Sequence, residues 1–193
     1  MLGLKLATDP RWANLAAISL QDILTDHAYC EQKAATACIS LIQLHPDKRL
    51  LIDSLAPIVS EEWGHFRLVL AILKEKGLPL GYQRNDKYVS DLQKFRLKGG
   101  SRNDQLPDRL LICAMIEARS CERFRLLSIH LEDEKLREFY HTFMVSEAGH
   151  YRLFLDLAHT YEDTVLVTKR WKELLEYESN LMTAMELRGD RIH

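Results

Sequence analysis

One phrase is written twice in this chain: EWGHFRLVL over residues 62–70 and EAGHYRLFL over residues 147–155, with six of nine positions identical. In a helix, residues three apart lie on nearly the same face. Glu62 with His65, and Glu147 with His150, therefore each present a carboxylate and an imidazole together, which are metal-ligating groups. A carboxylate-bridged dimetal site in a helical bundle also needs one Glu from each of two further helices. The duplication turns that need into a specific demand for a matched Glu upstream of each phrase. Glu31, in YCEQKAA, lies 31 residues before Glu62, and Glu117, in MIEARSC, lies 30 residues before Glu147. Each is followed two residues later by a cation, Lys33 or Arg119.

Helical geometry agrees with this set of six. Glu31 falls on the stripe Leu24, His27, Ala34/Ala35, Cys38 and Leu41/Ile42, and Glu117 on Leu110, Cys113/Ala114, Cys121, Phe124 and Leu127. A carboxylate in the middle of an apolar stripe is costly unless it is paired or bound to metal. Four carboxylates balance the charge of two divalent ions, and hard oxygen donors with two His suit iron or manganese. Buried salt bridges without a metal are the alternative account of the same residues. Glu61 and Glu122 fall off their stripes and are excluded. A third Glu-x-x-His, Glu138/His141, lies nine residues before Glu147, on the opposite side of that helix at ~100° per residue, and is read as solvated surface. His27, one turn before Glu31, is read as a hydrogen-bonded core histidine, the alternative being a partner that orients Glu31. Arg67 and Arg152 point away from the neighbouring His residues.

These groups must be placed by helices. Apolar periodicity predicts helices over about 12–45, stopped by Pro46, and about 47–76, ended by Gly77 with a kink at Pro57. Others run from near Pro107 to His130, from about 133 to 161, and from about 163 to 188. Short links within the first two and within the next two make each pair an antiparallel hairpin. Residues 77–106 form a long connection holding one short helix near 86–97. Two hairpins joined by a long crossover are the ferritin-like form of the four-helix bundle. The expected fold is thus all-α, a single domain over residues 1–193, with an extra C-terminal helix.

Composition narrows the function. With 193 residues, 47% hydrophobic and 28% charged, the chain is long enough for a substantial core. A net charge of −2 gives no case for non-specific binding to nucleic acid or membrane. The four cysteines, Cys30, Cys38, Cys113 and Cys121, form no Cys-x-x-Cys pair, which argues against a zinc ribbon or rubredoxin-like centre. Without a signal-like N-terminus or an apolar run of ~18 residues, a cytoplasmic protein with reduced thiols and no membrane partner is expected.

The crossover is locally basic. Arg84, Lys87, Lys94, Arg96, Lys98 and Arg102 interleave with Tyr82, Tyr88 and Phe95. Cations for phosphates and aromatics for bases are what an RNA loop requires, although a solvated amphipathic crossover has the same composition. The segments DHAYCEQKAA, EEWGHFRLVLAILKEKGLPLG, IEARSCERF and SEAGHYRLFL resemble the tRNA 2-methylthio-isopentenyl-adenosine hydroxylases of the MiaE type. The resemblance runs from about Trp12 through the fourth long helix, and IEARSCERF is its most distinctive piece. It implies a non-haem di-iron monooxygenase that hydroxylates the isopentenyl group of the modified adenosine beside the tRNA anticodon. It further implies two iron ions on Glu31, Glu62, His65, Glu117, Glu147 and His150, O2 as co-substrate, and a separate electron-donor protein. A ferritin- or rubrerythrin-like ferroxidase or peroxide-detoxifying protein is the alternative, because it uses the same donors.

Overall fold

The computed structural model describes residues 2–193, which form seven α-helices and one 3₁₀ turn, with no strand among the described residues. By its contacts the chain divides into two compact units. One comprises Leu15–Asn85 with Arg188–Ile192. The other comprises Asp86–Leu187 with the N-terminal residues through Asn14 and with His193.

The first unit is built on an antiparallel hairpin of α2 (Leu20–Leu44) and α3 (Arg49–Glu75), turned by residues 45–48. In α3 the buried residues are Leu51, Leu55, Ile58, Glu62, His65, Val69 and Leu73, spaced three or four apart to make one continuous inner stripe. Leu51, Leu55 and Val69 are completely buried, and each such side chain contributes about 1.5–3 kcal/mol. Two polar groups sit in the middle of that stripe, so the packing that fixes α3 also fixes Glu62 and His65. Pro57 lies within α3 and the helix continues through it, at the cost of one backbone hydrogen bond to the Asp53 carbonyl. Gly77 ends the helix with φ +66, while the Leu78 amide donates to the Leu73 carbonyl at 2.9 Å. This is a Schellman closure that needs the left-handed conformation glycine adopts readily.

The second unit contains α4 (Lys87–Leu92) with the 3₁₀ turn Gln93–Phe95, then α5 (Arg102–His130), α6 (Glu134–Tyr161) and α7 (Thr164–Ala184). α5 and α6 form its hairpin, and α7 packs on both. Nearly every residue of α5 from Leu106 to Leu127 is buried. Asp108 ties three segments together. It accepts from the Leu97 amide at 2.8 Å and takes a two-pronged contact from Arg170, at 3.0 and 2.7 Å. The Arg170 guanidinium also lies 4.0 Å from the centre of the Phe95 ring, so the end of the crossover is pinned by one cation.

Three boundaries differ from the periodicity. The first long helix is two: α1 (Arg11–Ile18) stops, and Ser19, with φ −106 and ψ 39, leads into α2. α5 starts five residues before Pro107, because Ser101 and Asp104 form a reciprocal capping box. α7 ends at Ala184 rather than near Arg188, since residues 188–192 run back along α1 and α2 within the first unit. There the Asp26 carboxylate, its pKa raised by burial, accepts from the Ile192 amide at 2.7 Å and from Arg191 at 3.0 Å. Gly189 passes so close to α1 that a Cβ on it would collide with backbone atoms of Leu15 and Ala16. Gly189→Ala should therefore lift this segment from α1 and cost about 1–3 kcal/mol. Urea unfolding measures the loss, and faster proteolysis within residues 185–193 locates it. Unchanged values in both would show that the close approach is dispensable.

Candidate metal centre

Each unit carries one triad. In the first, α2 supplies Glu31 and α3 supplies Glu62 and His65, all buried. His65 Nδ1 lies 3.2 Å from Glu31 Oε2 and 3.4 Å from Glu62 Oε2. In the second, α5 supplies Glu117 and α6 supplies Glu147 and His150, again all buried. His150 Nδ1 lies 3.4 Å from Glu147 Oε2. Within each triad the candidate donor atoms lie within 4.8 Å of one another. Both triads are reached by the same local logic, an i, i+3 pair on one helix facing a lone Glu on the antiparallel partner.

Two carboxylates and an imidazole gathered out of water fit a divalent cation, whose charge offsets the cost of burying the carboxylates. The donors are hard oxygens and imidazole nitrogen with no thiolate among them, a set that suits a hard or borderline divalent ion and lacks the thiolates common in structural zinc sites. His27, completely buried, places Nε2 at 2.8 Å from Glu31 Oε1. It is thus both a core histidine and a partner of Glu31, and the i, i+4 spacing was the signal for that contact.

The remaining sequence candidates divide. Glu138 and His141 are exposed, as expected from their side of α6. Of the six crossover cations, Arg84 is committed to its own unit, donating to the Asp190 carboxylate at 2.8 Å, to the Asp190 carbonyl at 2.6 Å and to the Asp22 carbonyl at 3.1 Å. Lys94 is exposed and pairs with Asp91 at 2.5 Å, and Arg96 donates to Gln105 at 2.8 Å. Lys87, Lys98 and Arg102 are exposed. Desolvation pushes the Cys113 thiol up to about 12 and that of Cys121 up to about 11, so both are inert fillers at neutral pH.

A second polar cluster was not anticipated. Arg119 is completely buried, and its guanidinium serves Glu122, Glu178 (2.7 and 2.9 Å), the Thr8 hydroxyl (3.0 Å) and the Leu6 carbonyl (3.0 Å). Tyr88 donates to the same Glu178 oxygen at 3.2 Å, and Arg123 lies over the Trp12 ring at 4.8 Å. The network ties the N-terminal segment, α4 and α7 to α5 within one turn of Glu117. Its one local signal was the i, i+3 spacing of Arg119 and Glu122.

A sequence model of the tRNA-(ms2io6A)-hydroxylase family, MiaE, matches residues 2–193. The chain belongs to the MiaE family. Members of this family are tRNA hydroxylases, and the buried carboxylate–imidazole triads are consistent with the di-iron site of such an enzyme. The tRNA 2-(methylsulfanyl)-N(6)-isopentenyladenosine(37) hydroxylase of Pseudomonas putida is 40% identical over 81% of this chain and 75% of its own length. The Salmonella typhimurium protein of the same name is 34% identical over 77% of this chain, a match spanning about half (53%) of that protein. Among solved structures, a Synechococcus protein with aldehyde deformylating oxygenase activity superposes with a TM-score of 0.92. It is 32% identical, over 98% of this chain and 94% of that one. The all-helical, ferritin-like fold expected for this MiaE-family chain is thereby established. No helix among the described residues is long and apolar enough to cross a membrane.

Proposed function

We propose that this chain hydroxylates the isopentenyl group of 2-methylthio-isopentenyl-adenosine beside the tRNA anticodon. The two triads, Glu31/Glu62/His65 and Glu117/Glu147/His150, would hold one iron ion each, two in all. The observation that carries this reading is the pairing of matched, buried Glu/Glu/His sets in a chain of a tRNA-hydroxylase family. Bound iron supplies the reduction of O2 and the oxidation of the C–H bond. Overall, one C–H bond, O2, two electrons and two protons give one C–OH group and one water. The electrons come from a separate donor protein.

The chain's own residues set the conditions for that chemistry. The two carboxylates of each triad match the charge of one divalent ion, so each loaded site is neutral enough to persist in a low-dielectric core. His27, whose Nε2 lies 2.8 Å from Glu31 Oε1, would help orient that carboxylate. Ala35 and Cys38 on α2, with Ala114, Ala118 and Cys121 on α5, flank the lone carboxylates with buried small side chains. These surroundings keep water away from a strong oxidant. For the RNA, Lys87, Lys98 and Arg102 are the crossover cations best suited to phosphates, because Arg84, Lys94 and Arg96 are engaged with Asp190, Asp91 and Gln105.

Mass spectrometry of nucleosides tests this. Iron-loaded protein, a chemical reductant and labelled O2 should add one labelled oxygen atom to the modified adenosine of prenylated tRNA. Rapid oxidation of iron or turnover of peroxide with no change in the nucleoside would instead assign the centre to ferroxidase or peroxidase chemistry.

A further inference from the structure

The duplicated phrases differ on their outer faces. In the second phrase the aromatic residue, Tyr151, is covered by Trp171 of α7, with ring centres 6.0 Å apart, and the residue after Glu147 is Ala148. In the first phrase the corresponding positions are Phe66 and Trp63, and in that unit the main packing partner of α3 is α2. Trp63 stacks on Phe66 with ring centres 4.9 Å apart and planes 29° apart, yet 47% of the indole residue stays in contact with solvent. Leaving a preformed aromatic pair so open forgoes burial energy that a smaller side chain would not put at stake.

The surroundings of the pair carry a sign. At ~100° per residue, Trp63, Phe66, Arg67, Leu70 and Lys74 share a ~100° arc of α3. Arg67 and Lys74 are exposed, and no acidic residue of α3 between Trp63 and Lys74 falls within the arc. The arc borders the side of the helix from which Glu62 projects, one residue before Trp63. A stacked aromatic platform flanked by cations is the chemistry that binds unpaired nucleobases with their phosphates.

We propose that this outer face of α3 stacks unpaired bases of the substrate RNA, with Trp63 and Phe66 as the platform and Arg67 and Lys74 as phosphate contacts. The proposal rests on the RNA-substrate reading above and adds a surface on α3 to it. It also explains why only one of the two phrases carries a tryptophan, since α7 occupies the equivalent position beside the other.

Anisotropy of a labelled anticodon stem-loop carrying 2-methylthio-isopentenyl-adenosine, titrated with iron-loaded protein, tests it. Trp63→Ala should weaken affinity about 5- to 150-fold, the range expected for loss of one base–aromatic stack, with iron content unchanged. Trp63→Phe should restore most of the affinity, and Arg67→Gln should reduce its salt dependence. Wild-type affinity in Trp63→Ala, with loss of binding in a Lys87/Lys98/Arg102→Ala triple variant, would overturn this surface and leave the RNA reading intact. Failure of wild-type protein to bind either the stem-loop or whole tRNA would overturn both. A dimer that dissociates on Trp63→Ala in sedimentation, without change in RNA affinity, would assign the face to a second copy and overturn the proposal.

Discussion

Glu117→Ala should yield protein that folds but neither retains iron nor hydroxylates tRNA. Glu117 is one of two carboxylates in its triad, and its removal leaves only Glu147 and His150 on that side. Loss of groups that merely orient ligands already costs about 10–100-fold in metal affinity, so loss of a ligand should cost more than ~100-fold. The fold should survive because α5 is anchored along its whole length by buried apolar residues such as Leu110, Leu111, Phe124 and Leu127. Metal-free variant should melt at or above the temperature of metal-free wild type, since one buried carboxylate is gone. Metal analysis after gel filtration, the nucleoside assay and thermal melts read the three arms. Exposed Glu138, part of the third Glu-x-x-His, provides the control: Glu138→Ala should keep both iron and activity. Two bound irons and normal turnover in Glu117→Ala would remove Glu117 from the ligand set.

Arg119→Met should cost about 3–5 kcal/mol of folding stability, the usual consequence of removing one partner from a buried ion pair. Arg119 sits between Glu122 and Glu178, and Glu178 is completely buried. Without the guanidinium, both carboxylates lose their main cation while remaining out of water. Burial already raises the Glu178 pKa, with Arg119 pulling it back down. In the variant that pull is gone, so Glu178 takes up a proton at higher pH in the folded state than in the unfolded one. A raised folded pKa adds stability at low pH that disappears as pH rises through it. The deficit against wild type should therefore shrink in mildly acidic buffer and be largest at neutral pH and above. Adding Glu178→Gln to Arg119→Met should recover part of the loss. Urea unfolding across pH checks each arm, and a deficit below ~1 kcal/mol independent of pH would show that the network contributes little.

Much of this protein is legible in one dimension. Helical periodicity is a local property, so the two hairpins, the short link at Pro46 and the long crossover follow from the spacing of apolar residues. The six candidate ligands are legible for a related reason. An i, i+3 Glu/His pair shares a helix face whatever surrounds it, and the repeat then points to Glu31 and Glu117 as the matched carboxylates. The structure brings these together as two buried triads, one in each unit.

What lay beyond the sequence depends on partners distant along the chain. Nothing near Arg119 signals Glu178, 59 residues later, or Leu6, 113 residues earlier, because long charged side chains select partners by distance in space. Arg84 looked like its basic neighbours until Asp190 claimed it. The break at Ser19 and the close passage of Gly189 over Leu15 belong to a segment whose course no periodicity describes. The difference between the two phrases is of the same kind. Six of their nine positions are identical, but α7 covers Tyr151, whereas Trp63 remains open to solvent. Local spacing therefore determined which groups could bind metal, and tertiary packing decided which faces stay free to meet a substrate.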